Sequence, residues 1–433
     1  MVLQLEFSDE ERVTPYVGLG LYGELYKSIG IDKAVNNSML KPGSGSGYEA
    51  NTYVYPLAMM FLGGGKYIED IRKIKADKGL QEIMKLKVVP SGDAIGDWLR
   101  RESFSKVKAL QGINDRIVCS LLKKSGDELT LDIDATGIEA DKREAEYTYK
   151  GHKGYMPMLG FIAEVGCCAG YEFREGNDSP GARNYEFTKE ICEKLEKNGK
   201  KIKYFRSDSA AYQAKVINYA EKKGIKYTIT ADKDIAIKRE IRRICEENWK
   251  KVCDKDGINT GREYAEFIHS MNASDQSFRV VVQRWTNPQR DLFENEEEYC
   301  YHGIATNFMV EERSSQEVIW FHNARSNAEN YNKEVKLGFN LEYMPSGDFG
   351  GNSVWFGLGI LAYNLFIASK VFLFPKSWHS KTISTVRWQF IQMAGRVIKH
   401  ARRLIVRVSG IMRETFELYL QARRLCREMS EAG

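Results

Sequence analysis

Residues 129–136 read LTLDIDAT. Leu129, Leu131, Ile133 and Ala135 alternate with Thr130, Asp132, Asp134 and Thr136. This period of two predicts a half-buried strand, one face apolar and the other polar. Working outward, YMPMLGFIAEVG (155–166) and YEFREGN (171–177) predict a second and third strand, with CCAG (167–170) as the turn between them. FTKEICEKLEKNG (187–199) predicts a helix closed by Asn198-Gly199. KIKYFRSDS (201–209) reads as a strand, AAYQAKVINYAEKKG (210–224) as a helix ending at Gly224, and IKYTITAD (225–232) as another strand.

The order β-β-β-α-β-α-β describes an α/β fold in which a mixed sheet is flanked by helices, as in ribonuclease-H-like domains. The rhythm then breaks. A charged helix, IAIKREIRRICEENWKK (235–251), leads into the β-like pieces FRVVVQRW (278–285), EYCYHGIATN (298–307) and EVIWFH (317–322), with the acidic FENEEE (293–298) read as a solvated turn. Because a helical pattern resumes at HNARSNAENYNKEVK (322–336), residues 235–317 read as a β-rich insertion. The catalytic domain would then occupy 126–234 and 318–375, between a helical region at 1–125 and a basic helical one at 376–433.

In the first of these, the glycine clusters KPGSGSG (41–47) and LGGGK (62–66) read as turns. Ser91 reads as a helix N-cap, with Asp93 in the first turn. A helical accessory domain and a DNA-end-binding or dimerisation domain both fit this region. In the C-terminal region, Lys376 to Arg413 holds nine Lys/Arg and no Asp or Glu. At helical period, Val397, Ala401, Leu404 and Val408 share one face of RVIKHARRLIVRVSG, and Arg396, Lys399, Arg402 and Arg403 lie largely opposite. A solvated basic face is the plain reading. The lack of any acid over this length favours a polyanion, with an anionic membrane surface second.

Composition sets the outer bounds. The 433 residues are 43% hydrophobic and 28% charged, which excludes disordered and collagen-like classes. Length is a prior for two or three domains. A net charge of +5 means little by itself. The eight cysteines form no CxxC pair, so they read as free thiols of a reducing cytosol and not as a zinc site. MVLQLEFSDE has no basic, apolar leader pattern. Val354 to Ala368 is largely apolar, but two glycines and Asn364 interrupt it, so a buried core helix is favoured over a membrane span. The expected location is the cytoplasm.

Three acids lie where a two-metal site needs them: Asp134 at the end of the first strand, Asp208 at the end of the fourth, and Glu329 on the helix after the insertion. Strand-end carboxylates are also common as caps. Asp132 rivals Asp134 because it shares its face, and Asp232 and Asp234 rival Asp208 more weakly. Arg325, Glu329 and Lys336 fall on one helical stripe, which suits a salt-bridged surface as well as a carboxylate flanked by phosphate-gripping cations.

The spacing Arg325-(3)-Glu329-(6)-Lys336 resembles the Tyr-(2)-Arg-(3)-Glu-(6)-Lys signature of DDE transposases from bacterial insertion sequences. With Asp134 in LDIDATG, Asp208 in FRSDSA and the run GFNLEYMPSGDFGGNSVWFGLGILAYNLF (338–366), the chain is similar to the insertion-sequence family 1380 group over roughly 90–410. His322 stands where the signature has Tyr. The resemblance implies a catalytic Asp134–Asp208–Glu329 triad binding two Mg²⁺, with Mn²⁺ as a substitute. It also implies cleavage of double-stranded DNA at terminal inverted repeats, joining to target DNA, and a homodimer in the synaptic complex, with no membrane involved. His322, Arg325 and Lys336 would contact DNA near the triad, and Arg396, Lys399, Arg402 and Arg403 farther away. Trp285 or Trp320 could stack on a displaced base, although core packing is the plainer role for both. A nuclease that cuts without joining and an inactive DNA-binding relative are the rival readings.

Overall fold

The computed structural model describes residues 12–41, 47–287 and 298–432. The N-terminal part is helical, with α1 (Asn51–Gly63), α2 (Gly92–Arg100) and the long α3 (Ser103–Leu122). Gly64 ends α1 at φ 97°, a left-handed position that a side chain would strain. Ser91 caps α2 as expected, its hydroxyl accepting from the Ala94 N–H. Most of KPGSGSG and of the acidic FENEEE lies outside the described residues.

Nine strands among the described residues form one sheet: β1 (Leu129–Ala135), β2 (Met158–Ile162), β3 (Cys167–Glu172), β4 (Ile202–Ser207), β5 (Lys226–Ala231), β6 (Lys250–Cys253), β7 (Asn259–His269), β8 (Phe278–Thr286) and β9 (Tyr299–Thr306). Their spatial order is β6-β7-β8-β9-β5-β4-β1-β2-β3. β4 runs parallel to β1 and to β5, and all other neighbours are antiparallel. The helices α4 (Asn184–Lys197) and α5 (Ala214–Lys223) connect β3 to β4 and β4 to β5. Residues 235–317 therefore contribute strands that widen the same sheet from its β5 edge. The charged helix is shorter than its pattern suggests, ending at Arg242.

Several local readings change. CCAG belongs to β3, and the turn comes earlier, at residues 163–166. EVIWFH is not a strand but lies in α6 (Ser315–Asn323), which opens on a capping box between Ser314 and Glu317. That cap outweighs the β propensity of Val318 and Ile319. Nor is β1 half-buried, because Leu129 to Ile133 are all buried, polar residues included. Its polar face is roofed over. Helix α7 (Ser326–Lys333) packs on β1 and β2, while α6 covers β5 and β7–β9.

The apolar run forms α8 (Phe349–Phe372), long and apolar enough to cross a membrane, yet 89% of its most apolar window is buried inside this fold. It packs against α3, α1 and β3. Asn364 is satisfied there by Asn114 and by the Cys168 backbone. All eight cysteines are free.

The C-terminal region is not helical throughout. Residues 395–408 form a hairpin of β10 (Gly395–His400) and β11 (Arg403–Val408), edged by Val13–Thr14, and only then comes α9 (Arg413–Ala432). Strand pairing puts Val397, Val406 and Val408 on one face of the hairpin, so Val397 and Val408, which fit a helical stripe, fit a strand face better.

Candidate active site

Parallel pairing of β1 with β4 builds the centre. Ile133 is in register with Ser207, so the next residues, Asp134 and Asp208, emerge side by side at the C-terminal ends of adjacent strands. Asp208 follows β4 directly and caps the short 3₁₀ turn Ser209–Ala211, its Oδ1 accepting from the Ala210 N–H at 3.1 Å.

Helix α7 brings the third acid across the sheet. Arg325 precedes its first residue and bridges two carboxylates, with Nη1 3.9 Å from Asp134 Oδ1 and Nη2 3.4 Å from Glu329 Oε1. Asn332, one turn beyond Glu329, donates from Nδ2 to Asp134 Oδ2 at 2.6 Å. Its Oδ1 is buried without a hydrogen-bond partner. Burial and the negative charges of Asp208 and Glu329 push the Asp134 carboxyl up to about 6, against the opposing pull of Arg325 and Asn332. The three acids thus share one electrostatic field, yet they do not form a closed ligand set. Among the described residues no three acidic, imidazole or thiol groups are grouped to hold one ion. The Glu329 side chain is 62% exposed and lies toward Arg325.

The rival Asp132 is fully buried and taken up by Arg206, in a bidentate pair at 2.6 and 2.7 Å. It holds β1 to β4 and is not available to an ion. Asp234 caps the helix starting at Ile235, accepting from the Ile237 N–H.

The flanking residues divide. Lys336 Nζ donates to the carbonyl of Gly137, 2.7 Å away and just beyond Asp134 in the chain. It lies past the end of α7, in a π-helical turn, so the single stripe expected for Arg325, Glu329 and Lys336 is broken there. His322 is only 3% exposed, and its Nε2 lies 3.1 Å from the Thr230 hydroxyl, beneath His302. Burial, His302 and Arg325 hold it down at about 3, so it is neutral and shielded from any phosphate. The expected DNA contact at His322 is therefore corrected to a packing role. Lys399 is bound to Glu82 at 2.9 Å. Arg396, Arg402 and Arg403 sit with it on the β10–β11 hairpin, away from the helix face first assigned to them. Of the two tryptophans, Trp320 donates to the Cys253 carbonyl and Trp285 lies under the Arg262 guanidinium, so both are engaged within the fold.

Sequence reading missed Asn332. Its spacing from Glu329, one helical turn, was the available signal.

With this geometry in place, comparison with known families is decisive. The family model for the transposase DDE domain, group 1, matches residues 3–429. The chain belongs to that family. Among solved structures, this DDE-family chain is similar to a piggyBac transposase synaptic complex with hairpin DNA, determined by cryo-EM. The two share 10% identity and a TM-score of 0.44, covering 95% of this chain and 81% of that one. Comparison with curated proteins gives no match.

Proposed function

We propose that this DDE-family protein cuts DNA at the terminal inverted repeats of an insertion sequence and joins the ends to target DNA. The observation that carries the reading is the pairing of Asp134 and Asp208 on adjacent strand ends, with Glu329 as their electrostatic neighbour. The order β3-β2-β1-β4-β5, with β2 alone antiparallel to the other four, supports a ribonuclease-H-like core. The Arg325, Glu329 and Lys336 spacing supports the insertion-sequence family 1380 branch.

The donor set suits Mg²⁺, or Mn²⁺ in its place. Carboxylate and amide oxygens are hard ligands, and the buried, unpartnered Oδ1 of Asn332 beside Asp134 marks a place short of positive charge. Asp134, Asp208 and Glu329 would hold the ions once the Glu329 side chain turns from Arg325 to the strand ends. When bound, such a pair supplies a nucleophilic water or 3′-hydroxyl near neutral pH and stabilises the leaving oxygen.

The chain's own residues do the rest. Asn332 fixes the rotamer of Asp134 through its 2.6 Å bond. Arg325, released by Glu329, becomes free to grip a phosphate, for which its planar fork is suited. Lys336 holds the loop after β1 by its bond to Gly137 and so keeps the rim of the site in place. Two ends handled together imply a homodimer in the synaptic complex, in the cytoplasm at the nucleoid.

A strand-transfer assay with Mg²⁺ and labelled element ends tests this reading. Joined products are expected; cutting alone would make the protein a nuclease, and binding alone an inactive relative.

A further inference from the structure

The β10–β11 hairpin presents two unlike faces. On one, Val397, Val406 and Val408 lie toward the body of the protein: Val397 is buried beside Gly79, and Val406 and Val408 pack on the main core. On the other, register places Arg396 opposite Arg407, Ile398 opposite Ile405, and His400 opposite Arg403. Like charges directly across from one another, as at Arg396 and Arg407, destabilise a sheet. Ile405 is 39% exposed, and Arg396, His400, Arg403 and Arg407 are all exposed. Among the described residues no ion pair joins Arg402, Arg403 or Arg407 to a carboxylate, unlike Lys399, which meets Glu82 from the other face.

The tip adds to this. His400 and Arg403 are joined by a two-residue turn in which Ala401 and Arg402 both have positive φ, 47° and 63°. Such turns favour Asn-Gly, and each ordinary side chain there carries strain. Placing an arginine at the apex of a strained turn extends the cationic face to the far end of the ribbon.

We infer that this outward face is a two-stranded ribbon that enters the major groove of double-stranded DNA. The inference rests on the reading of the chain as a DNA-acting enzyme and adds where and how it holds the duplex. The B-DNA major groove, about 12 Å wide, admits a two-stranded β-ribbon. Six residues of strand span about 20 Å, which is roughly six base pairs of contact. Arginines along both edges suit phosphates and guanine edges, and the central Ile398–Ile405 pair suits thymine methyl groups. An RNA duplex has a deep, narrow major groove that excludes such a ribbon.

The test uses the full chain and a mixed-sequence 30-base-pair DNA duplex, with the same sequence as duplex RNA for comparison. Two variants are measured: Arg403→Ala/Arg407→Ala, and Ala401→Asn/Arg402→Gly, which relaxes the turn and so keeps the hairpin folded while removing the apical cation. The wild type is expected to bind DNA in preference to RNA, and to lose affinity to methyl green, a major-groove ligand, more than to netropsin, a minor-groove one. The Arg403/Arg407 variant should bind DNA at least about tenfold more weakly at low salt, with a salt slope shallower by about two. The turn variant should bind more weakly while melting no lower than wild type. If both variants bind the duplex as the wild type does, or if netropsin alone competes, the ribbon assignment is overturned while end cleavage in the strand-transfer assay still stands. A wild type that binds no duplex at all would overturn the underlying DNA-acting reading as well.

Discussion

Asn332 Nδ2 lies 2.6 Å from Asp134 Oδ2, and the same amide leaves its Oδ1 buried with no partner. One side chain thus restrains the central carboxylate and carries an unmet need of its own. Groups that orient a metal-binding carboxylate typically govern 10–100-fold of metal affinity or activity. We expect Asn332→Ala to weaken Mn²⁺ binding and slow end cleavage by about that factor, while stability changes by only about 1 kcal/mol because the orphaned oxygen leaves with the amide. A urea midpoint beside the Mn²⁺ affinity separates the two effects; a large fall in stability with unchanged affinity would make the residue purely structural.

Asp132 gives the opposite result. Its bidentate pair with Arg206 is buried, and removing one partner strands a charge at a cost of about 3–5 kcal/mol. Arg206→Met should therefore lower the unfolding free energy by that amount, and the double substitution with Asp132→Leu should recover most of it. If Arg206→Met folds normally and fails only in cleavage, the pair belongs to the reaction and not to the frame.

The buried imidazole gives a pH signature. His322 is held at about 3, against an ordinary value near 6.5. Below about 6.5 the unfolded chain takes a proton that the folded one refuses, so this group lowers stability by up to about 1.4 kcal/mol per pH unit down to about pH 3. His322→Asn should remove that part of the slope between pH 6.5 and 4, as read from urea unfolding at several pH values. Equal slopes in the two proteins would mean that the imidazole is protonated in the fold.

Helix α8 carries Asn364 at full burial because three hydrogen bonds meet it: Asn114 at 2.6 Å, and the Cys168 carbonyl and N–H at 2.8 and 2.9 Å. Asn364→Leu would leave those groups without partners and should cost about 2–4 kcal/mol. A variant as stable as wild type would show that water replaces the amide.

Much of the frame was legible from residue pattern. LTLDIDAT, KIKYFRSDS and IKYTITAD each carry a strand signal strong enough to stand alone, and their helical connections follow from length and closing glycines. What misled was local pattern without its covering partner. Asp132 and Thr130 look like a solvent face, yet both are buried, because α7, distant in sequence, packs on β1 and Arg206 takes up Asp132. EVIWFH has strand residues but sits behind a capping box, and RVIKHARRLIVRVSG fits both periods until its partner strand is known. That Asp134 and Asp208 end strands and Glu329 lies on a helix was readable; the burial of His322 was not, because burial is a property of the fold and not of the spacing.

The central claim is that Asp134, Asp208 and Glu329 act together on divalent metal. Its most direct test is a titration of the full chain with Mn²⁺, following free ion by electron paramagnetic resonance, for wild type, Asp134→Asn, Asp208→Asn and Glu329→Gln. Saturable binding in the wild type, lost in the two aspartate variants and weakened in the third with folding intact, is the predicted result. Binding by the folded Asp134→Asn and Asp208→Asn proteins that matches the wild type would contradict it.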